Sequence, residues 1–414
     1  MRIAQFVHRY PPALGGAEAW VYRLSKYLVA QGDEVTIWTT TARELNSFTR
    51  RTANELPAGN TLEDEINVRR FAPSLRWPGR RYLLKAASLV PIRRWQAMTQ
   101  PWGPISLDMW KVAGHDASEV DVVHAVAFPF GAIIQSAHRL ARNWEVPFVV
   151  TPFLHLGDPN DRNDPIRRAY TAPHLTRLLK LADRVIVQTP TESEAIAQLG
   201  VARERIVLQG LGVDSAECTG GDREAVRARW GVNADEVVVG HLANQSEEKG
   251  TIDLLLAVAD ARRNAPFIRV VLAGPRMPSF DRFWSRFGPV DWVTQLGPID
   301  DATRRDFFAA IDLFTMPSRS DSFGLVFLEA WANGKPVIGY RAGGVVDVIR
   351  HEHDGMLVRC GDAAALIAAI VRLSTDAALR NTWGTSGRER VAAEFQWDDK
   401  LRIAHRTLTV CPSS

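Results

Sequence analysis

The sequence predicts an α/β protein built from two doubly wound domains that face each other across a cleft. Three observations predict it. The chain has 414 residues, more than one hydrophobic core usually serves. Short apolar runs alternate with longer stretches of helical period, the pattern of β–α units stacked on parallel sheets. The series of runs resets near Gly212–Asp214 and then begins again.

In the first half, strands are expected at Ile3–Val7, Glu34–Trp38, Val120–His124, Phe148–Thr151, Arg184–Gln188 and Ile206–Leu208. A helix from Ala17 to about Ala30, stopped by Gly32, joins the first two. In the second half they are expected at Glu236–His241, Arg269–Ala273, Trp292–Gln295, Leu313–Met316, Pro336–Gly339 and Met356–Val358, each followed by glycine, proline or a polar turn. The domains divide as 1–213 and 214–394, with a last helical pattern in the tail 395–414. In such sheets ligands bind outside the carboxyl ends of the strands.

Hydrophobic residues make up 46% and charged residues 23%, ordinary for a globular protein. Lys plus Arg number 50 against 47 acids, a net charge of +3, which argues against a dedicated nucleic-acid binder. Cys218, Cys360 and Cys411 form neither a C-x-x-C pair nor a disulfide framework, so a reducing, cytoplasmic setting is expected. MRIAQFVHRY reads as a strand rather than a signal peptide, and no apolar run reaches 18 residues.

One segment departs from this rhythm. Between Ile66 and Leu107 there is no acid; Arg69, Arg70, Arg76, Arg80, Arg81, Lys85, Arg93 and Arg94 are interleaved with Trp77, Tyr82, Trp95 and Trp102. A basic run is often a solvated face. The aromatic residues equally suit a membrane–water interface, making 69–95 a candidate surface for anionic lipid or an anionic acceptor.

Chemistry concentrates in Ser318-Arg319-Ser320-Asp321-Ser322-Phe323-Gly324-Leu325-Val326-Phe327-Leu328-Glu329-Ala330, which follows the strand Leu313–Met316 and opens a helix running to about Asn333-Gly334. The first N–H groups of such a helix lack internal partners and favour phosphate. Asp321 and Glu329 would be about 12 Å apart along a helix, a spacing that suits one carboxylate on a sugar and another on a ribose.

This stretch resembles the signature of family 4 glycosyltransferases, two acids separated by seven residues around Phe-Gly-Leu, with Asp321 where the family usually has Glu. The likeness continues through Gly334, Pro336-Val337-Ile338, Gly343-Gly344 and Asp354-Gly355. It implies a GT-B fold of two Rossmann-like domains, with the 395–414 helix crossing back to brace the first. It assigns Asp321 and the Ser322-Phe323-Gly324-Leu325 backbone to donor sugar and phosphates, and Glu329 to the ribose. The first β–α turn, Gly15-Gly16-Ala17-Glu18, matches the family loop that meets donor phosphates and acceptor. In Gly240–Gly250, Lys249 matches the lysine that neutralises the leaving diphosphate. No arginine fills the family's other position, where His241, Asn244 or Gln245 stand; Arg319 and Arg341 are candidate replacements. His155 is the preferred active-site histidine and His124 the second candidate.

The resemblance implies a retaining transferase that needs no bound metal or other cofactor. Its donor would be a UDP, GDP or ADP sugar, and its acceptor a glycan or a lipid-linked molecule on the inner face of a membrane. A sugar-nucleotide epimerase of the same architecture and a degenerate, non-catalytic partner subunit are the alternatives. The acids Asp300-Asp301 read as a helix cap, and Asp158, Asp161 and Asp164 lack the glycine and glutamate of a calcium loop.

Overall fold

The computed structural model describes residues 1–126 and 128–410; Cys411 and the end of the expected 395–414 tail lie outside them. The apolar runs form two sheets. The first contains β1 (Arg2–Phe6), β2 (Glu34–Thr40), β3 (Gly59–Glu63), β4 (Ile66–Phe71), β5 (Val122–Val126), β6 (Phe148–Thr151), β7 (Arg184–Val187) and β8 (Ile206–Leu208). Its order is β3-β4-β2-β1-β5-β6-β7-β8, parallel except for the antiparallel edge strand β3. The second contains β9 (Val237–Leu242), β10 (Ile268–Ala273), β11 (Val293–Gly297), β12 (Leu313–Met316), β13 (Val337–Tyr340) and β14 (Gly355–Val358), in the order β11-β10-β9-β12-β13-β14. Helices cover both faces of parallel sheets, so central strands such as β5 and β6 are buried along their whole length.

Strand order reverses between β1 and β5 in one sheet and between β9 and β12 in the other, which is where open α/β sheets form ligand crevices. The loop after β1 carries Gly15-Gly16, the loop after β6 carries His155, and those after β9 and β12 carry Lys249 and Asp321.

One strand, β4, lies inside the interval taken for a basic segment, and its partner β3 ends just before it. The interval's eight cations divide accordingly. Arg69 pairs with Asp116, Arg70 with Glu63 and Arg76 with Glu55, while Arg80 is buried and donates to the carbonyls of Phe48 and Gly103. Only Arg81, Lys85, Arg93 and Arg94 remain exposed. The surface proposed over 69–95 is therefore half interior.

The chain passes between the sheets at two adjacent points. Val213 N–H donates to the Phe395 carbonyl at 2.9 Å and Val213 bridges Gln396. A Cβ on Gly212 would lie 2.7 Å from the Trp397 nitrogen, so only glycine lets the two crossings touch. Helix Trp397–Thr409 then packs Leu401, Ala404 and Leu408 against the first domain, reaching helix Gly16–Ala30 and strands β5 and β7.

Candidate active site

The loops after β9 and β12 are locked together. Gly250 has φ 73° and a Cβ there would lie 2.0 Å from the Pro317 carbonyl oxygen, a conformation and approach open only to glycine. Arg319 N–H donates to the Glu248 carbonyl at 2.8 Å. This brings the Lys249 ammonium onto Asp321 Oδ2 at 2.9 Å and the Ser320 carbonyl at 3.3 Å. Burial pulls the Lys249 pKa down, but the Asp321 and Glu248 charges outweigh it and hold it above its ordinary value. Burial likewise pushes Asp321 up, but Lys249 and His155 hold its carboxyl below the usual range. The Gly343-Gly344 turn lies against the same loop: Gly344 N–H donates to the Asp321 carbonyl at 3.0 Å, and a Cβ on Gly343 would sit 2.2 Å from that oxygen.

The signature helix starts later than its spacing suggests. It spans Leu325–Ala332, with Gly324 at φ 88° before it. Asp321 therefore sits on the loop, where its Oδ1 accepts from Phe323 N–H at 3.3 Å, and the 12 Å helical separation expected from Glu329 does not apply. The Phe323 ring is buried in the core. Glu329 is on the helix and nearly buried, and both its oxygens accept from Arg304, Nε to Oε2 at 3.1 Å and Nη2 to Oε1. This pair lines a cavity with Trp20, Arg23, Val213 and Trp397.

His155 reaches this cluster from the opposite domain. Its Nδ1 lies 3.2 Å from Ser320 Oγ and its ring lies against Tyr170, centroids 4.9 Å apart and tilted by 31°. Burial, reinforced by the Lys249 charge, pushes its pKa down to about 4, so at neutral pH the ring is neutral. The loop carrying it is held by buried Glu192, whose Oε1 accepts from Leu154 N–H at 2.6 Å and Oε2 from Gln188 N–H at 2.7 Å. Burial pushes the Glu192 carboxyl up to about 7. The folded chain thus binds this proton more tightly than the unfolded chain. Its contribution to stability is complete below the ordinary carboxyl pKa and is lost as pH rises through about 7. Glu192→Gln is expected to remove this slope, at most about 1.4 kcal/mol per pH unit, while adding a pH-independent loss from an amide facing N–H donors. Denaturant titrations of both proteins from pH 4 to 8 check it; parallel stability curves would refute it.

The other expected residues separate into two groups. Gly15 and Gly16 are exposed at the first turn, and Gly15 is packed on the Glu18 carboxylate, where a Cβ would meet Oε2. Glu18 in turn is buried between His8 Nε2 at 3.1 Å and Arg9 Nη2 at 2.6 Å. Asn244 is exposed on the loop after β9. His124 is not part of the cluster: it is fully buried within β5, with Nδ1 3.1 Å from Gln5 Oε1 and Nε2 2.8 Å from Thr151 Oγ1. His241 is similarly enclosed, between the Thr315 carbonyl and Thr251 Oγ1. Gln245 is buried against the Gly274 carbonyl, and Arg319 pairs with Asp253 at 2.6 Å. Neither stands in for the missing arginine. Arg341 lines a separate interdomain groove with Gly157 and Arg167. Asp300 caps helix Asp301–Ala310 and Asp164 caps helix Pro165–Tyr170.

Arg304, Tyr170, Glu192 and the His8 and Arg9 partners of Glu18 were not expected. Only Glu192 carries a local signal, the Thr189-x-x-Glu192 spacing of a capping box, with Thr189 Oγ1 accepting from Glu192 N–H at 3.1 Å.

Comparisons with known proteins agree with this fold. Residues 222–390 match the family Glycosyl transferases group 1, and residues 15–212 match the Glycosyl transferase 4-like domain. The chain is 28% identical over 402 residues to the D-inositol 3-phosphate glycosyltransferase of Stackebrandtia nassauensis, covering 92% of this chain and 84% of that one. It is 31% identical over 297 residues to the protein of the same name from Mycolicibacterium smegmatis, covering 66% of each. Its fold is similar to sucrose-phosphate synthase from Thermosynechococcus elongatus, with a TM-score of 0.75, 24% identity, and coverage of 99% of this chain and 100% of that one. It is also similar to Anabaena HepE in complex with UDP and glucose, with a TM-score of 0.71, 20% identity, and coverage of 99% and 100%. The chain belongs to the group 1 glycosyltransferases, of the family 4 type with the GT-B fold.

Proposed function

We propose that this glycosyltransferase moves a sugar from a UDP-type nucleoside-diphosphate donor to a hydroxyl of a phosphate-bearing acceptor, with retention at the anomeric carbon and without a metal. The observation that carries it is the Lys249–Asp321 pair at the loop before helix Leu325–Ala332, faced by neutral His155. Lys249 and the first N–H groups of that helix neutralise the charge that develops on the diphosphate. The acceptor hydroxyl attacks the anomeric carbon from the face the diphosphate leaves. As the carbon–oxygen bond to the diphosphate breaks, a diphosphate oxygen takes the hydroxyl proton. No protein nucleophile is required, and the chain's work is orientation and charge stabilisation. His155, Asp321 and the Gly15-Gly16 loop orient sugar and acceptor. UDP is favoured by the HepE complexes, and a phosphate-bearing polyol by the names of the relatives.

The test is transfer by the purified chain from UDP-glucose to inositol 3-phosphate, with the product anomer read by NMR and a parallel reaction in chelator. An inverted anomer overturns retention, and loss of turnover in chelator overturns metal independence. Turnover of donor without any acceptor selects the epimerase, and an inert chain selects the partner subunit. A thermal-shift screen against UDP, GDP and ADP identifies the base, since ligand at a hundredfold above Kd stabilises by about 2.7 kcal/mol.

No helix among the described residues is long and apolar enough to cross a membrane. The reading includes reversible docking on an anionic cytoplasmic membrane face through exposed Arg81, Lys85, Arg93 and Arg94 with Tyr82, Leu83, Ile92 and Trp95. Each such cation contributes roughly 1 kcal/mol near an anionic surface. Changing the four cations to Gln is expected to abolish sedimentation with anionic vesicles at low salt, and high salt to weaken it for the native chain. Equal, salt-independent partitioning of both proteins would sink the docking. Arg80 is left unchanged in this variant because it is buried and holds two carbonyls.

A further inference from the structure

Beside this face the first domain carries a half-open groove of about 380 Å³ that the donor site does not use. Its walls include Pro101, Trp102, Pro129, Phe130, Ala172 and Pro173. The polar side chains at its edge are already partnered. Gln100 Nε2 lies 3.0 Å from His174 Nε2, and Gln100 Oε1 accepts from Gly131 N–H at 2.6 Å. Gln96 Nε2 donates to the Ser88 carbonyl at 3.0 Å and its Oε1 accepts from Arg93 at 2.8 Å. Burial, with the Arg93 charge, pushes the His174 pKa down to about 4, so that ring is neutral at physiological pH. A groove with apolar walls and satisfied polar groups offers a guest apolar burial and few new hydrogen bonds.

The two ends of the groove indicate which guest. At one end Trp102 and Arg93 open onto the exposed apolar and cationic face, where Leu89 is 78% and Ile92 59% exposed. The other end adjoins the reaction centre. Phe130 stacks on His8 at 4.2 Å, and His8 holds Glu18 of the first turn. Ala169 and Ala172 flank Tyr170, whose ring lies against His155. Cations at an apolar mouth complement an amphiphilic anion.

We propose that this groove is a hydrocarbon subsite, taking the chain segment next to the headgroup of an anionic, membrane-lipid acceptor. The headgroup hydroxyl then lies toward His8 and His155. This rests on the transferase reading only for the word acceptor, since binding can be measured without donor.

The probe is dodecyl phosphate below its micelle concentration, titrated calorimetrically into the full chain, with inorganic phosphate and inositol 3-phosphate as separate arms. Saturable binding of dodecyl phosphate at least tenfold tighter than either chainless phosphate is expected. Ala172→Trp, which fills the groove, should weaken it at least tenfold while leaving anionic-vesicle sedimentation unchanged. Ala169→Trp, at an exposed edge position, gives the same reading if the first variant fails to fold. Dodecyl phosphate binding no tighter than phosphate, or undiminished in the folded tryptophan variant, overturns the proposal. A chain that binds the alkyl phosphate yet transfers no sugar overturns the transferase mechanism and leaves the subsite standing.

Discussion

Lys249→Ala lowers turnover at saturating donor by roughly a hundredfold or more, the loss typical when one preorganised charge donor is removed from a transition state. Lys249 is held by two acceptors, Asp321 Oδ2 and the Ser320 carbonyl, and Gly250 fixes its backbone against Pro317. Its ammonium is thus placed before the donor arrives, which is the condition for stabilising a developing charge without reorganisation. Removing it also leaves Asp321 without a cation. Lys249→Ala combined with Asp321→Asn separates the two effects: if the loss comes only from the stranded carboxylate, the double variant recovers turnover. Lys249→Arg keeps the charge but changes its shape and hydration, and an intermediate rate is expected. Near wild-type steady-state turnover in Lys249→Ala would remove this residue from the reaction centre.

Glu329→Ala weakens UDP binding by about 1.5–3 kcal/mol, the usual scale for a hydrogen bond to a charged group. The carboxylate has further lone pairs beyond the two used by Arg304. A ribose can therefore bind without displacing the arginine, provided Arg304 keeps the carboxylate in place. A 2′-deoxy nucleotide should lose affinity for the native chain and lose little more for Glu329→Ala. Full additivity of the two losses, read by calorimetry, would show that Glu329 does not touch the ribose. Arg304→Ala is the companion measurement. It should weaken UDP binding as well, and the double variant with Glu329→Ala should lose less than the sum, because the two side chains act as one unit.

Twelve of the strands were legible because buried parallel strands are short continuous apolar runs, and their places agree with the sheets to within a few residues. The two that were not, β3 and β4, show why. β3 is almost wholly exposed, so Gly59–Glu63 has no apolar pattern. In β4 the buried Arg70 occupies an inward position because Glu63 of β3 pairs with it, a fact invisible until both strands are placed. Lys249 and Asp321 were each legible from motifs some seventy residues apart; their pairing is a finding of the structure, made because both loops end neighbouring strands of one sheet. Arg304 was not legible: it is an ordinary helical arginine whose partner is fixed only by tertiary packing. His124 shows the converse, because a polar residue closing an apolar strand looks like a site residue until Gln5 and Thr151 are seen to satisfy it.

The touching crossings at Val213 and Gln396 also set the mechanics of the cleft. Two adjacent covalent connections permit rotation about the line through them and resist sliding or twisting of one domain across the other. In such a rotation displacement grows with lever arm. Glu329 shares its cavity with Val213 and Trp397, close to the pivot, whereas the His155–Ser320 contact joins the two domains through different loops. A small angular swing therefore leaves the surroundings of Glu329 nearly constant and is felt chiefly where His155 meets Ser320.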